Sequence, residues 1–463
     1  MSDSIPLPAA VFKAYDIRGT VPAQISESFA GRLGLALAQQ ARREGVRSMV
    51  VGHDGRMSSP ALSQALLQGL QAGGLDTVDL GLVHTPLVYF ATHLDGSGSG
   101  VAITGSHNPP DYNGFKLMIA GRTLHGEDIQ ALRALMEHIE PPKDVAPGHG
   151  RTQDLIQTYI QRITGNVKLA RPLKIAIDCG NGVGGVVAPA LFRALGCTVD
   201  ELYTQVDGHF PNHHPDPADP ANLQDLIAHL KRTDCELGLA FDGDADRLGV
   251  VTRSGQIIWP DRQLILLARD VLQRVPGAPI IFDVKCSRHL VAAIREAGGT
   301  PTMSQTGHSL IKAKLAETGA PLAGEMSGHI FFKERWYGFD DGLYAGARLL
   351  EVLSRSTNPS AVLEALPQGL STPELKLPMK EGEPHPFVAR LQSEGHFPSA
   401  AERITIDGIR AEYPDGFGLA RASNTTPVVV LRFEGDTPEA LKRIEGEFRS
   451  AIAALLPGQP LPF

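Results

Sequence analysis

Three stretches of the chain share one pattern, an apolar run that ends near an aspartate, an amphipathic run closed by glycine, and a second apolar run. The units open at residues 49–56, 174–182 and 279–287, with the aspartates Asp54, Asp178 and Asp283. Glycine just past an amphipathic run is typical of a helix end. Strand–helix–strand units of this spacing favour right-handed crossovers and largely parallel sheets. The repeat therefore predicts three topologically related α/β domains with mixed, mostly parallel sheets.

The pattern changes after about residue 366. Two strand-like runs within residues 402–435 and a closing helix at 438–456 indicate a smaller α+β domain at the C-terminal end. The predicted domain boundaries are 1–150, 151–254, 255–366 and 367–463.

Charge and cysteine usage exclude several classes of function. With a net charge of −8 and a pI near 6.1, the 463-residue chain lacks the excess positive charge that is typical of proteins that bind nucleic acid or an anionic membrane. There is no secretory signal and no apolar stretch near the ~20 residues that span a bilayer. Four scattered cysteines predict reduced thiols in a cytoplasmic protein. Without heptads or an exposed apolar helix, we expect a monomer.

Each unit carries its next apolar run into a polar, glycine-bearing loop, and these loops cover residues 104–110, 242–247 and 324–329. Ligands of open α/β sheets bind outside the carboxyl ends of strands. We therefore expect the three loops to form three walls of one site, although an ordinary surface turn is the alternative for each.

The second loop holds three carboxylates at alternating positions, Asp242, Asp244 and Asp246. Crowded carboxylates are costly unless a cation neutralises them, and an all-oxygen donor set suits Mg²⁺. An EF-hand is excluded because its sixth position would be Arg247 and its twelfth Arg253. Arg247 adds a clamp for an anion, so the loop predicts a phosphate and metal site, with a solvated acidic turn as the alternative.

Ser106 is the natural partner of that loop, because a phosphate on its hydroxyl would be a metal ligand and a group to transfer. Lys116, Lys13 and Arg18 could supply cations. The flanking residues do not form a G-x-S-x-G elbow, so an esterase is disfavoured.

Two further loops have ligand-binding chemistry. Arg421, Ser423, Asn424 and Thr425 could form a phosphate-binding nest, with an ordinary polar loop as the alternative. Glu325 and Ser327 are spaced to bracket neighbouring sugar hydroxyls.

One motif indicates a different function. Residues 180–185 satisfy G-x-G-x-x-G after a predicted strand, and Asp200 and Glu201 follow about 20 residues later, where a ribose-binding acid would lie. A dinucleotide-dependent oxidoreductase is therefore an alternative. It leaves the acidic loop, Ser106 and the 421–426 loop unexplained.

Taken together, six motifs in order resemble the α-D-phosphohexomutases, in particular their bacterial phosphomannomutase/phosphoglucomutase branch. They are FKAYDIRG (12–19), TGSHNPPDYNGFK (104–116), DGDADR (242–247), TGHSLIK (306–312), GEMSGH (324–329) and RASNTT (421–426). The resemblance implies four domains around a central cleft. It also implies a resting enzyme phosphorylated on Ser106, and Mg²⁺ held by that phosphate with Asp242, Asp244 and Asp246.

The resemblance implies a phosphohexomutase that interconverts hexose 1-phosphate and hexose 6-phosphate, of glucose, mannose or both, through a reorienting hexose 1,6-bisphosphate. Glu325 and Ser327 would hold the sugar, and the 421–425 set the phosphate that is not reacting. Other matching positions line the cleft (Tyr15, Lys285, His308, His329) or surround the phosphoserine (Arg18, His107, Lys116, Arg247). Lys116 and His329 are both candidates for the acid and base. A binding protein without catalysis is a third hypothesis.

Two positions bear on how far the resemblance extends. The family's serine loop more often has alanine where this chain has Gly105, which predicts a more flexible loop here. Met326 favours the glucose/mannose branch over the phosphoglucosamine branch.

Overall fold

The computed structural model describes residues 7–424 and 426–463. Its strands form four sheets that follow one another along the chain, with seven, five, four and six strands. Three α/β sheets are followed by an antiparallel C-terminal sheet with two helices packed on it, which confirms the predicted fold class.

The first sheet has the strand order β1-β5-β4-β2-β3-β7, with β6 beside β5. Its elements are β1 (Ile17–Thr20), α1 (Glu27–Arg43), β2 (Ser48–His53), α2 (Ser59–Ala72), β3 (Asp76–Leu82), α3 (Thr85–Asp95), β4 (Gly100–Ile103), β5 (Tyr112–Ile119), β6 (Arg122–Thr123), α4 (Glu127–Glu137) and β7 (Gly150–Thr152).

The second sheet has the order β12-β11-β10-β8-β9. Its elements are α5 (Ile156–Asn166), β8 (Lys174–Asp178), α6 (Ala188–Ala194), β9 (Thr198–Leu202), α7 (Gln224–Arg232), β10 (Leu237–Phe241), β11 (Leu248–Thr252) and β12 (Ile257–Ile258).

The third sheet has the order β14-β13-β15-β16. Its elements are α8 (Pro260–Arg274), β13 (Pro279–Asp283), α9 (Arg288–Glu296), β14 (Thr300–Ser304), α10 (His308–Thr318), β15 (Leu322–Gly324), β16 (Ile330–Phe332), α11 (Gly342–Leu353) and α12 (Pro359–Glu364).

The C-terminal sheet has the order β17-β22-β21-β20-β19, with β18 also beside β22. Its elements are β17 (Leu370–Ser371), β18 (Leu375–Pro378), α13 (Pro384–Glu394), β19 (Glu402–Ile404), β20 (Ile409–Tyr413), β21 (Gly416–Ala422), β22 (Val428–Gly435) and α14 (Pro438–Leu455).

The three α/β sheets share a four-strand core. In each, two strands of the repeat unit lie parallel, a third parallel strand pairs with the first of them, and an antiparallel strand follows it (β3-β2-β4-β5, β9-β8-β10-β11 and β14-β13-β15-β16). The glycines that close the helical runs, Gly74, Gly196 and Gly298, have φ of 85°, 96° and 78°, a conformation that favours glycine. The predicted repeat is thus confirmed.

Each predicted site loop is the turn that joins the third strand of such a core to its antiparallel neighbour, after β4, β10 and β15. The first sheet extends to Thr152 and the second to Ile258, slightly past the predicted boundaries at 150 and 254. The boundaries themselves stay a prediction.

The C-terminal sheet has a hydrophobic core separate from the one that the first three sheets share. One buried cluster runs through the first three sheets, from Val50 to Leu366, whereas the C-terminal sheet has its own cluster, which includes Phe433 and Phe448. All four cysteines are buried free thiols, as predicted. In the described part of the chain, every helix is too short or too polar to span a bilayer.

Buried polar groups join the C-terminal sheet to the third sheet. Arg410 donates to the carbonyls of Val284 and Cys286 at 2.5 and 2.7 Å, and the Ser287 hydroxyl donates to Glu434 at 2.8 Å. Such polar contacts are easier to exchange with water than a continuous apolar core.

A buried contact also joins α5 to the start of α11. The Tyr159 hydroxyl lies 2.9 and 2.8 Å from the two carboxylate oxygens of Asp341, which caps α11 through the Tyr344 amide. Burial raises the pKa of Asp341 to about 7, since an anion is poorly solvated there.

Asp341→Asn is expected to change how stability depends on pH. Because the folded state binds the Asp341 proton more tightly than the unfolded state, this group's contribution is complete below about pH 4 and is lost as the pH rises toward 7. The melting temperature of the variant relative to the parent should therefore increase from pH 5 to pH 7 and then level off. A difference that does not change with pH would contradict the assignment.

Candidate active site

The serine loop places Ser106 directly after β4 in a buried position. Its Oγ lies 3.0 Å from Oδ2 of Asp242 and 3.2 Å from Nδ1 of His107, and the serine is 1% exposed. The Ser106 φ is +48°, a conformation that is uncommon for a serine and is found where surrounding structure enforces it.

The surrounding structure is a buried guanidinium that sequence reasoning missed. Arg56 donates to Oδ2 of Asp54 at 3.2 Å, and Asp54 also accepts from the Thr104 hydroxyl at 2.8 Å and the Gly105 amide at 3.2 Å. Arg56 further donates to the carbonyls of Ser106 (2.8 Å), Asn108 (2.6 Å), Pro109 (2.5 Å) and Tyr112 (2.9 Å). A Cβ at residue 105 would clash with this guanidinium. The Arg56 side chain thus fills the space that the methyl group of an alanine would occupy.

The three carboxylates of the second loop lie close together. Asp242, Asp244 and Asp246 are 0% exposed and each offers an oxygen within 4.8 Å of the others. Oδ1 of Asp244 and Oδ1 of Asp246 are buried without a hydrogen-bond partner among the described residues. Clustered carboxylate oxygens with free lone pairs are the donor set of a hard divalent cation, so the residues fit a metal.

Lys116 neutralises two of these carboxylates in the structure. Its Nζ lies 2.7 Å from Asp244 and 2.5 Å from Asp246. Burial alone would lower the pKa of Lys116, but the two carboxylates raise it well above its usual value. Burial likewise opposes the charge on Asp244, yet Lys116 and the Thr85 hydroxyl, 2.6 Å away, hold its pKa below the usual range.

The pKa of Asp242 is shifted in the opposite direction from that of Asp244. Burial, together with Asp246 and Asp244, raises the pKa of Asp242 well above its ordinary value. It faces Ser106 rather than Lys116, so a cation or a phosphate with its cation at this point would restore its charged form.

His329 lies where the second and third loops meet. Nε of Arg247 donates to Nε2 of His329 at 3.1 Å, and Nδ1 of His329 lies 3.4 Å from Asp246 and 3.3 Å from Asp340. Because Nε2 accepts, the proton of the neutral ring is on Nδ1, toward the carboxylates. Asp340 was not predicted.

The Asp340 carboxylate lies close to one lysine and two histidine rings. Its carboxylate is 3.0 Å from Nζ of Lys312 and 3.6 Å from Nδ1 of His308. Burial would raise the pKa of Asp340, but Lys312 and the histidines hold it well below the usual range. The His308 ring stacks on His329 with centroids 5.6 Å apart and meets the Tyr15 ring edge-on at 5.2 Å.

Arg18 and His107 border the serine loop. Nη1 of Arg18 donates to the Asn108 side chain at 2.7 Å, and Nη2 is 2.5 Å from Asp16. Burial, with Arg247 and Arg18 nearby, lowers the pKa of His107 well below its usual value, so the ring is neutral. Two guanidiniums around a neutral histidine favour an anion here.

The third loop forms a wall beside the acidic loop, since the Leu248 amide donates to the Gly328 carbonyl at 3.1 Å. Glu325 is 2% exposed, and its Oε1 accepts from the Gly307 amide at 2.5 Å; burial raises its pKa. The half-buried Ser327 follows in the same turn. Asp283, the aspartate of this repeat unit, accepts from the Met326 amide and the Thr306 hydroxyl, both at 3.0 Å. The strand-end aspartate thus positions two loops, as Asp54 does in the first unit.

The C-terminal sheet contributes the last wall. Nε of Arg421 donates to Asp407 at 2.8 Å, and the same oxygen accepts from the Thr306 amide at 2.9 Å, so the 421–426 loop is tied to the third sheet. Ser423 lies 3.0 Å from the Thr426 hydroxyl, and Asn424 is half-buried. Thr425, the last predicted member of the nest, lies outside the described residues.

Lys285 lies at the same junction. Its Nζ is 2.7 Å from Glu374, and although burial opposes both charges, the pair raises the pKa of Lys285 and lowers that of Glu374 to about 2. Lys285 is therefore a cation held between the third and fourth sheets.

The glycine motif at 180–185 has a structural explanation. A Cβ on Gly182 would come within 2.9 Å of the Gly243 carbonyl, and one on Gly185 would overlap the backbone of Thr204. These glycines allow the backbone to pack beneath the acidic loop. Glu201 binds Arg193 and Thr204, both at 2.6 Å, so the dinucleotide alternative loses support.

The site thus contains five groups that sequence reasoning missed, Arg56, Thr85, Asp340, Glu374 and Asp407. The strand-end Asp54 was a sequence signal for the Arg56 pair, and the tandem acids Asp340 and Asp341 after an aromatic run could have marked a buried carboxylate. Thr85 and Asp407 had no signal, because only the packing of separate sheets brings them to the site.

Comparison with known families agrees with this architecture. The phosphoglucomutase/phosphomannomutase family models match in order: alpha/beta/alpha domain I at residues 9–143, domain II at 157–255, domain III at 259–369 and the C-terminal domain at 374–451.

Individual relatives match over nearly the whole chain. A phosphoglucomutase of Neisseria gonorrhoeae is 56% identical over 443 residues, 96% of each chain. A phosphomannomutase/phosphoglucomutase of Pseudomonas aeruginosa is 52% identical over 460 residues, 99% of this chain and 98% of the relative. The crystal structure of a phosphoglucomutase/phosphomannomutase family protein from Burkholderia thailandensis has a TM-score of 0.94 at 54% identity, covering 99% of this chain and 100% of that one. The chain therefore belongs to the phosphoglucomutase/phosphomannomutase family, the α-D-phosphohexomutases, and is an isomerase that works by phosphoryl transfer.

Proposed function

We propose that the protein interconverts the 1-phosphate and 6-phosphate of glucose, mannose or both, through a phosphorylated Ser106 and a hexose 1,6-bisphosphate that turns over in the cleft. The observation that most supports this proposal is the position of Oγ of Ser106. This atom is buried and lies 3.0 Å from Asp242, which belongs to a cluster of three carboxylates. The relatives named for phosphoglucomutase and phosphomannomutase support the two sugars.

Asp242, Asp244 and Asp246, with the phosphate of Ser106, would hold Mg²⁺. When bound, the ion offsets the negative charge of the phosphate during transfer. Lys116, Arg18 and Arg247 add positive charge around the same oxygen atoms, and His107 would donate or accept a hydrogen bond at the serine. Phosphoryl transfer depends mainly on such positioning and charge neutralisation.

In the first half-reaction, the sugar hydroxyl forms a bond to phosphorus as the bond from phosphorus to Oγ of Ser106 breaks. We assign the proton of that hydroxyl to Nε2 of His329. In the structure this nitrogen accepts from Arg247, so Arg247 must turn toward the transferring phosphate to free it. Lys116, with its raised pKa, acts as the charge-neutralising cation and proton donor rather than as the base.

The second half-reaction returns the other phosphate to Ser106 after the bisphosphate has reversed its orientation. Glu325 and Ser327 would accept and donate hydrogen bonds to the sugar hydroxyls, with Tyr15 and His308 beside them. Lys285, Arg421, Ser423, Asn424 and Thr425 would hold the phosphate that is not reacting. Reversal requires the C-terminal sheet to move, and the polar contacts at 284–287 allow this.

The test follows both sugars by ³¹P NMR with Mg²⁺, supplying glucose 1-phosphate or mannose 1-phosphate and a trace of the matching 1,6-bisphosphate. Conversion to the 6-phosphate, faster with the bisphosphate and abolished by EDTA, is expected. The relative rates rank the sugars. Binding of both without conversion would exclude them as substrates and favour an amino-sugar phosphate or a binding role.

Asp340→Asn is expected to lower kcat by about 10²-fold with KM nearly unchanged, because His329 loses the carboxylate that holds its Nδ1 proton. The matched control is Asp341→Asn, one residue on, which faces Tyr159 instead of the histidines and should keep kcat within about twofold of the parent. Equal losses in both variants would indicate a structural effect and contradict this role.

We also propose that the enzyme acts as a monomer in the cytoplasm, a setting in which its four buried thiols stay reduced. Sedimentation at micromolar concentration would show a single species of about 49.5 kDa. A concentration-dependent larger species would contradict the monomer.

A further inference from the structure

A second cluster of metal-ligating side chains lies in the second domain, away from the candidate active site. It consists of Asp200 on β9, His229 in the last turn of α7, and Cys235 just before β10. Sequence reasoning singled out Asp200 as a ribose-binding acid, but the structure turns it toward this cluster instead. The mechanism proposed above uses none of the three residues.

Two of the three side chains contact one oxygen of the third. Nε2 of His229 lies 3.0 Å and Sγ of Cys235 lies 3.2 Å from the same oxygen, Oδ2 of Asp200. In a tetrahedral zinc site, bonds of about 2.0 Å to nitrogen and oxygen and 2.3 Å to sulfur place the ligand atoms roughly 3.3–3.5 Å apart. The two contacts with Asp200 are each about 0.3 Å shorter than this, and all three ligand atoms lie within 4.8 Å of one another.

The surroundings suit metal entry and one open coordination position. The Asp200 and His229 side chains are each 26% exposed, whereas Cys235 is buried behind them. The nearest competing cation is Lys174, whose Nζ is 4.0 Å from Asp200 and pairs with Asp234. A mixed nitrogen, oxygen and sulfur set favours Zn²⁺ over Mg²⁺, which prefers oxygen donors alone.

We propose that Asp200, His229 and Cys235 form a zinc-binding site distinct from the catalytic metal site. The thiol loses its proton to solvent when the Zn–S bond forms, and His229 binds as the neutral ring. Because the thiol gives up its proton on binding, zinc affinity should increase as the pH rises. The site lies toward the amino ends of β8 and β10, opposite the acidic loop, so the ion would brace α7 against the sheet.

The test uses Co²⁺ as a spectroscopic stand-in for zinc, added to the full chain with excess Mg²⁺ to occupy the all-oxygen site. We expect a near-ultraviolet thiolate-to-cobalt band that saturates at one Co²⁺ per chain and is displaced by Zn²⁺. Cys235→Ser should lose the band, and the matched control Cys197→Ser, a buried thiol of the same domain that is not a member of the cluster, should keep it.

His229→Gln changes a half-exposed side chain and tests the site independently of the thiol; it should weaken cobalt binding while mutase activity in Mg²⁺ stays unchanged. The absence of a band in the parent, or a band that persists in Cys235→Ser, would overturn the proposal. So would unchanged cobalt affinity in His229→Gln.

Discussion

Replacing Ser106 by alanine is expected to lower kcat by at least about 10³-fold, because it removes the hydroxyl that we propose carries the phosphoryl group between half-reactions. Oγ of Ser106 is 3.0 Å from Asp242, and its backbone is fixed by the Arg56 contacts. Removing one oxygen leaves the acidic loop, Lys116 and the loop at residues 324–329 in place. Substrate binding should therefore survive while turnover is lost.

Steady-state kinetics and the intact mass of the protein together check this result. The parent, incubated with hexose 1,6-bisphosphate, should carry one phosphoryl group, and Ser106→Ala should carry none. Ser99→Ala is the matched control, since Ser99 is equally buried but precedes β4 instead of following it. Phosphorylation of Ser106→Ala, or normal turnover by it, would show that the phosphoryl carrier lies elsewhere.

Arg56→Met is expected to have the largest effect on stability, about 3–5 kcal/mol, because it leaves the buried Asp54 without its partner. It also removes the guanidinium that donates to three carbonyls of the serine loop and to the carbonyl of Tyr112. Since that loop holds Ser106 in its unusual conformation, kcat should fall by about 10²-fold even in folded protein.

Two further variants test whether the loss of stability in Arg56→Met comes from the buried ion pair with Asp54. Asp54→Asn combined with Arg56→Met should cost less stability than the sum of the single changes, because the uncompensated charge is gone. Arg122→Met is the control, as this half-exposed arginine pairs with Glu44 at the surface and should cost no more than about 1 kcal/mol. Urea unfolding is measured for five proteins, namely the parent, Arg56→Met, Asp54→Asn, the double variant and Arg122→Met. Additive losses of stability, or a loss in Arg56→Met as small as that in Arg122→Met, would contradict a stabilising buried ion pair between Arg56 and Asp54.

Local patterns were sufficient to predict the fold class. Strand, helix and glycine signals depend on residues close in sequence, so the repeat at Asp54, Asp178 and Asp283 predicted three related sheets. The shared core order of those sheets confirms it. The same reasoning placed Ser106, the acidic loop and Glu325 at the carboxyl ends of strands, because a strand that stops in a polar turn reveals its end without tertiary information.

Partners that come from different sheets could not be predicted in this way. Thr85 is 159 residues from Asp244, which it binds, and Asp407 contacts Thr306 across 101 residues. The roles of Lys116 and His329 also depended on such contacts, since only the packed structure shows that carboxylates raise the pKa of Lys116 and that Arg247 donates to His329.

The sequence by itself determined the three related α/β units, the C-terminal α+β unit and the residue types of each site loop. These follow from periodicity and turn chemistry, which act over a few residues. Only the tertiary structure decided which charges meet, which loop each strand-end aspartate holds, and that the glycines at 182 and 185 serve packing. Burial and electrostatic pairing depend on distances between sheets, and no local pattern encodes those distances.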